Sequence, residues 1–163
     1  MRTQIRDLLL FLSLNLLLAF SVEAQPGAFH FIQLNTFNGL SNNQVNSIYK
    51  DSRGFMWFGT VSGLNRYDGI RFKVFTHDPK NSVSPGDNWI NRIVEGPGGN
   101  LWINTNSGYN IFDPTTEQFD RDPVHLLQSM SIFVPTVQDI IKTRDGNFWF
   151  IHPEQGLSFY HSI

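Results

Sequence analysis

Three tryptophans recur along this chain at nearly equal intervals. Trp57, Trp102 and Trp149 stand 45 and 47 residues apart, and their surroundings fall into register with them. Three residues before each stands a glycine (Gly54, Gly99, Gly146), nine before an isoleucine (Ile48, Ile93, Ile140), and twelve before a β-branched aliphatic residue (Val45, Ile90, Val137). Gly63 and Gly108 follow the first two tryptophans by six residues, while the third copy has slipped by one to Gly156. An aromatic-Asp pair closes the first two copies, Tyr67-Asp68 and Phe112-Asp113, where the third has Phe159-Tyr160. Repetition at this period implies stacked supersecondary units, each burying its apolar faces against its neighbours.

The units read as strands. Val45 to Asp51 is a short aliphatic run ending at a Gly-containing turn, and "FMWFGT" is an aromatic strand. Asp68-Gly69 sits between two β-rich runs, a hairpin signal. Four strands per roughly 45 residues is the unit of a β-propeller blade. The expected fold is therefore all-β, a partial β-propeller over residues 25–163, with blades at 45–76 and 90–121 and a partial blade at 137–160 lacking its outer strand. The segments "HDPKNSVSPGDN" and "DPVHLLQSMSIFVP" become inter-blade loops. Residues 30–35, "HFIQLN", look like an outermost strand without a blade of its own, of the kind that closes the last blade of a propeller. A propeller typically needs four to eight blades, so two to three blades are expected to begin a larger one. Apolar faces such as those of Phe58, Ile103 and Phe150 would then lie open and favour association.

The N-terminus stands apart from the repeat. Arg2 and Arg6 precede the apolar Leu8 to Phe20, and a polar stretch with Val22 and Ala24 follows. That order predicts a secretory signal peptide over residues 1–24, too short to span a membrane comfortably. With 12 basic and 14 acidic residues in the whole chain, no basic stripe points to nucleic acid. The absence of cysteine excludes disulfides, a lipoprotein anchor and thiolate metal sites.

The stretch from Gly39 to Phe75, "GLSNNQVNSIYKDSRGFMWFGTVSGLNRYDGIRFKVF", resembles the two-component regulator propeller repeat. The resemblance continues at Asn88 to Phe119 and more faintly at Val137 to Tyr160. It implies a sensor region of a hybrid two-component system: seven-bladed propellers in the periplasm, a later membrane segment anchoring the parent in the inner membrane, and a histidine kinase, receiver and DNA-binding domain beyond. It implies as partners an oligosaccharide ligand and the remaining blades of the parent, leaves room for a homodimer of that parent, and makes glycan-utilisation genes the output. The kinase would lie outside this chain. A fragment of a polysaccharide-active propeller enzyme, or an inactive truncated remnant, stands as the alternative.

Candidate site residues are those the repeat does not demand. Trp57, Trp102 and Trp149 could stack on sugars, but a residue recurring at one register in every blade is expected to be inter-blade core. Gly54, Gly99 and Gly146 are expected to shape turns. "DSRG" and "TRDG" resemble the Asp-box turn, and Asp51 and Asp145 are read as turn formers rather than metal ligands. Trp89 and Asn88 precede the second blade, and Tyr109 stands where its counterparts Leu64 and Leu157 are aliphatic. With Asn91 and Asn106 they form the expected ligand-binding set. The histidines are scattered and no acid pair has a recognisable spacing, so no catalytic residue, metal or cofactor is assigned.

Overall fold

The computed structural model describes residues 31–162 together with Gln4, so the expected signal peptide otherwise lies outside the described residues, as does His30. The chain divides into two units, Met1–Gln33 and Leu34–Ile163. The second is a partial β-propeller of three antiparallel sheets. Blade 1 comprises β1 (Val45–Lys50), β2 (Met56–Thr60), β3 (Gly63–Tyr67) and β4 (Phe72–Phe75). Blade 2 comprises β5 (Ile90–Glu95), β6 (Leu101–Thr105), β7 (Gly108–Asp113) and β8 (Gln118–Asp120). Blade 3 has three strands, β9 (Asp139–Lys142), β10 (Phe148–His152) and β11 (Gly156–Tyr160). The segment expected as an orphan outermost strand differs: residues 31–35 carry no strand. A strand exists only through its ladder partner, and no described sheet lends this segment an edge.

The repeated residues are explained by turn chemistry. Gly54, Gly99 and Gly146 close the turn between the first two strands of each blade with φ of 94°, 79° and 85°, where a side chain would be strained. The next turn is tightened by a threonine. Thr60 Oγ1 donates to the Gly63 carbonyl and accepts from the Ser62 amide, and Thr105 repeats both bonds with Gly108 and Ser107. In blade 3 His152 replaces that threonine, and Pro153 to Gln155 lengthen the loop by one residue, which accounts for the slip of Gly156. The aromatic-Asp pairs end in Asx turns. Asp68 Oδ1 accepts from the Ile70 and Arg71 amides, and Asp113 accepts from Thr115 N and Thr116 Oγ1. These bonds, led by the backbone amides, hold both carboxyls below the usual carboxylate range. The expected Asp68-Gly69 hairpin is thus a four-residue loop spanning 68–71 rather than a two-residue turn.

Two seams hold the blades together. Between blades 1 and 2, Trp57 and Leu64 meet Ile90, Ile93, Leu101, Ile103, Phe112 and Phe119 in one buried cluster. Between blades 2 and 3, Val94, Trp102, Tyr109 and Ile111 meet Ile140, Phe148 and Phe150. Strand alternation sorts β6 neatly: Leu101 and Ile103 face blade 1, Trp102 faces blade 3. Ile103 and Phe150, expected to lie open, are therefore fully buried, while Phe58 is half-buried. Trp149 departs from its counterparts in the other direction. Trp57 and Trp102 are 0% exposed but Trp149 is 39% exposed, its ring 4.6 Å from that of Phe159. Each repeat tryptophan points at the following blade, and no described residues follow blade 3 on that side. The segment read as a plain loop before blade 3 holds a short helix, α1 (Val124–Ser129), whose Leu127 plugs the second seam.

Candidate functional site

The residues that break the repeat gather at one end of the second seam. Among the three blades, the position two after the repeat tryptophan holds Gly59, Asn104 and Ile151, and the position four after holds Val61, Asn106 and Pro153. Blade 2 alone has amides at both. It alone has a tyrosine, Tyr109, where the others have leucine, and an arginine, Arg92, where the others have Ser47 and Asp139. All lie on β5, β6, β7 or the turn joining β6 to β7, so the sheet brings them to one end of blade 2.

A β-bulge presents the amide at the centre. The register of the innermost strand slips between Val45 and Ser47 in blade 1 and between Ile90 and Arg92 in blade 2, leaving Asn46 and Asn91 as the extra, unpaired residues at the same repeat position. Such a bulge re-aims a side chain that regular pleating would fix. The two amides are used differently. Asn46 Nδ2 donates to the Ile90 carbonyl of the next blade at 3.0 Å. Asn91 Nδ2 donates within its own blade, to Asn106 Oδ1 at 3.1 Å and Asn104 Oδ1 at 3.3 Å. Asn91 and Asn106 are exposed and Asn104 is half-buried, so the remaining amide donors and acceptors face solvent.

Charge at this end is paired. Arg92 Nη1 donates to Asp139 Oδ2 at 2.6 Å, and Arg92 Nη2 lies 3.4 Å from the Ile140 carbonyl that it serves. The other carboxylate oxygen of Asp139 accepts from the Ile140 amide at 2.8 Å. Behind the amides, Tyr109 is 5% exposed, edge-on to Trp102, and its hydroxyl is buried with no hydrogen-bond partner among the described residues. Burial pushes that phenol up to about 12, with Asn104, Asp139 and Arg92 as its polar surroundings.

The five residues expected at the site are therefore split. Asn91 and Asn106 touch each other, and Trp89 is 39% exposed just ahead of β5. Asn88 serves as a brace: its carbonyl accepts from the Gly63 amide and its side chain from the His77 amide, both at 2.7 Å. Tyr109 belongs to the seam. Asn104, Arg92 and Asp139 were missing from the expected set, although their departure from the repeat register is legible in the sequence. Asp51, by contrast, is the turn former it was read as. It accepts from the Arg53 and Phe55 amides and from Trp57 Nε1, the last at 2.8 Å.

Known proteins share this architecture. Residues 39–62 match the family described as two component regulator propeller. Histidine kinase P4 of Formosa agariphila is 40% identical over 67 residues, which is 41% of this chain and 5% of the kinase. The extracellular domain of a hybrid two-component system from B. thetaiotaomicron superimposes with a TM-score of 0.58 and 29% identity over 80% of this chain. A second such domain from the same organism shares the fold, with a TM-score of 0.50 and 20% identity over 82% of the chain. The chain spans only 20% and 26% of those two domains. Among the described residues no helix is long and apolar enough to cross a membrane.

Proposed function

We propose that the chain is part of the exported sensor propeller of a two-component signalling protein, whose ligand is an oligosaccharide and whose output, through a kinase encoded farther along, is a set of glycan-utilisation genes. The observation that carries the reading is the likeness to the extracellular domain of a hybrid two-component system, 29% identical over 80% of the chain. On this reading the propeller lies in the periplasm and the parent is held in the inner membrane by a later segment. The ligand contact is the end of blade 2 bearing Trp89, Asn91, Asn104 and Asn106, since fixed amides and an indole face are what recognition of a hydroxylated ring requires. Autophosphorylation of the natural gene product in membrane vesicles, measured with a panel of oligosaccharides, tests it. One oligosaccharide should change the rate in the native protein and lose that effect in Asn106→Ala. A kinase rate indifferent to every glycan in the panel would refute the reading.

A further inference from the structure

We infer that the ligand held at the amide-rich end of blade 2 is uncharged: a neutral, hydroxyl-rich ring rather than a uronate or a sulfate ester. The inference rests on the proposed function for the location of the site, and adds the chemical class of what enters it. Its basis is the balance of charge and hydrogen-bonding groups at that end.

Asn91, Asn104 and Asn106 each carry both a donor and an acceptor. A sugar hydroxyl also donates and accepts, so either end of each amide finds a match. A carboxylate or sulfate only accepts, and would leave the amide oxygens facing its own. The cation near these amides, Arg92, is already committed, with one nitrogen on the Asp139 carboxylate at 2.6 Å and another on the Ile140 carbonyl. An anion arriving there would have to share the guanidinium with Asp139 and lie beside that carboxylate, itself tied to the Ile140 amide. Like charges so placed repel, and an uncompensated carboxylate at a half-buried seam is costly.

Two further features fit a neutral ligand. Trp89, 39% exposed just ahead of β5, offers an indole suited to the C–H side of a pyranose. The hydroxyl of Tyr109 lies behind Asn104 with no partner among the described residues, in a residue more than nine-tenths buried, and burial keeps it a neutral donor. A ligand that draws on the Asn104 amide therefore has a reserve donor behind it that adds no charge.

The test is calorimetric titration of the natural gene product with two sets of probes, neutral oligosaccharides from xylan, mannan, galactan and β-glucan digests, and acidic ones from polygalacturonate, alginate and sulfated galactan. A neutral probe should bind and no acidic probe should come within about a hundredfold of it, a gap of two tenfold steps. Asn104→Ala and Asn106→Ala should each weaken the neutral probe about tenfold, as loss of a hydrogen-bonding partner does. Arg92→Gln should leave it within about threefold, because the guanidinium is not used on the ligand. Binding of an acidic probe that is lost in Asn106→Ala would overturn the neutral class while leaving the site standing. Binding of a neutral probe unaffected by both asparagine variants would remove the site itself, and silence from both sets would sink site and class together.

Discussion

The two seams look alike in shape and differ in how their polar groups are satisfied. In the first, the Trp57 indole N–H is taken by Asp51, the Asn46 amide reaches the Ile90 carbonyl, Ser47 Oγ accepts from the Ile93 amide, and Arg53 reaches the Pro114 carbonyl. The Phe75 and Phe112 rings lie 6.1 and 5.2 Å from that of Trp57, and Phe119 packs on both at 6.0 and 4.7 Å. In the second seam the residue equivalent to Asp51 is Gly96, and Trp102 lies so close to it that an added Cβ would stand 2.2 Å from the ring. The Trp102 indole N–H and the Tyr109 hydroxyl are both buried there without partners among the described residues. A buried donor left unpaired costs about 1–3 kcal/mol, so the second seam gives up part of what its packing gains. Glu95 bridges the two seams: its carboxylate accepts from Ser52 of blade 1 and lies 3.6 Å from Lys142 Nζ of blade 3. The first seam pairs its buried indole N–H through Asp51, a residue that blade 2 replaces by Gly96. The second lacks that pairing, and the candidate site lies at its end.

Removing each repeat tryptophan measures the comparison most directly. Trp57→Ala and Trp102→Ala should each cost about 3–5 kcal/mol as large-to-small changes in a filled core. Trp149→Ala, at a position 39% exposed, should cost well under half of that. Urea unfolding of the propeller followed by tryptophan fluorescence gives all three; equal losses would mean that Trp149 is as covered as the others.

Next in size are the residues beneath the indoles. Gly96→Ala forces a methyl group into the Trp102 ring and should cost about 1–3 kcal/mol as overpacking. Asp51→Ala strands the Trp57 indole N–H and two backbone amides, with a similar expected loss of about 1–3 kcal/mol per buried donor left unpaired. Thermal unfolding of the two variants decides it, and a Gly96→Ala protein as stable as the native one would show that the Trp102 ring is free to move aside.

A smaller effect should appear in acid. Glu117, on the turn before β8, pairs with Lys73 and with Arg66 at 2.9 Å across the rim of the first seam. Its bonds to Lys73 hold its carboxyl below the usual 4.5. Because the folded value is the lower one, the stabilisation is present above the unfolded value and is lost as pH falls through the folded value. With side chains partly in solvent the contribution should stay below about 1 kcal/mol. Glu117→Gln should flatten that acid limb by lowering stability at neutral pH by no more than about 1 kcal/mol, while leaving stability in acid nearly unchanged. An unchanged acid limb would show that the rim pair contributes nothing.

The smallest change is expected from Tyr109→Phe. Deleting a hydroxyl without a partner should leave stability level or raise it by up to about 1 kcal/mol, against a loss of similar size if the hydroxyl were bonded. Chemical denaturation resolves the sign.

The repeat register made the blades legible, because Gly54, Gly99 and Gly146 mark turns that need positive φ and the tryptophans mark the second strand of each blade. It could not say which side of a blade each tryptophan covers. That depends on strand alternation within a three-dimensional stack, and so Ile103 and Phe150 were expected open when they are buried. Helix α1 was hidden because its six residues carry no side-chain cap and are held by Leu127 in the seam. At the site, Asn91 and Asn106 stood out by residue type. Asn104 and Arg92 emerged only from comparing blades position by position, and Tyr109 broke the pattern for packing rather than contact.

The direction in which the tryptophans point has a consequence for how such a chain is made. Trp57 is covered by Phe112 of the blade after it, and Trp102 by Phe150 of the blade after that. A chain emerging N-terminus first therefore always presents its newest indole to water, until some 45 residues more have left the ribosome and formed the sheet that hides it. Each blade is completed by a successor that does not yet exist, so an apolar, chaperone-accessible end travels along the nascent protein one blade at a time.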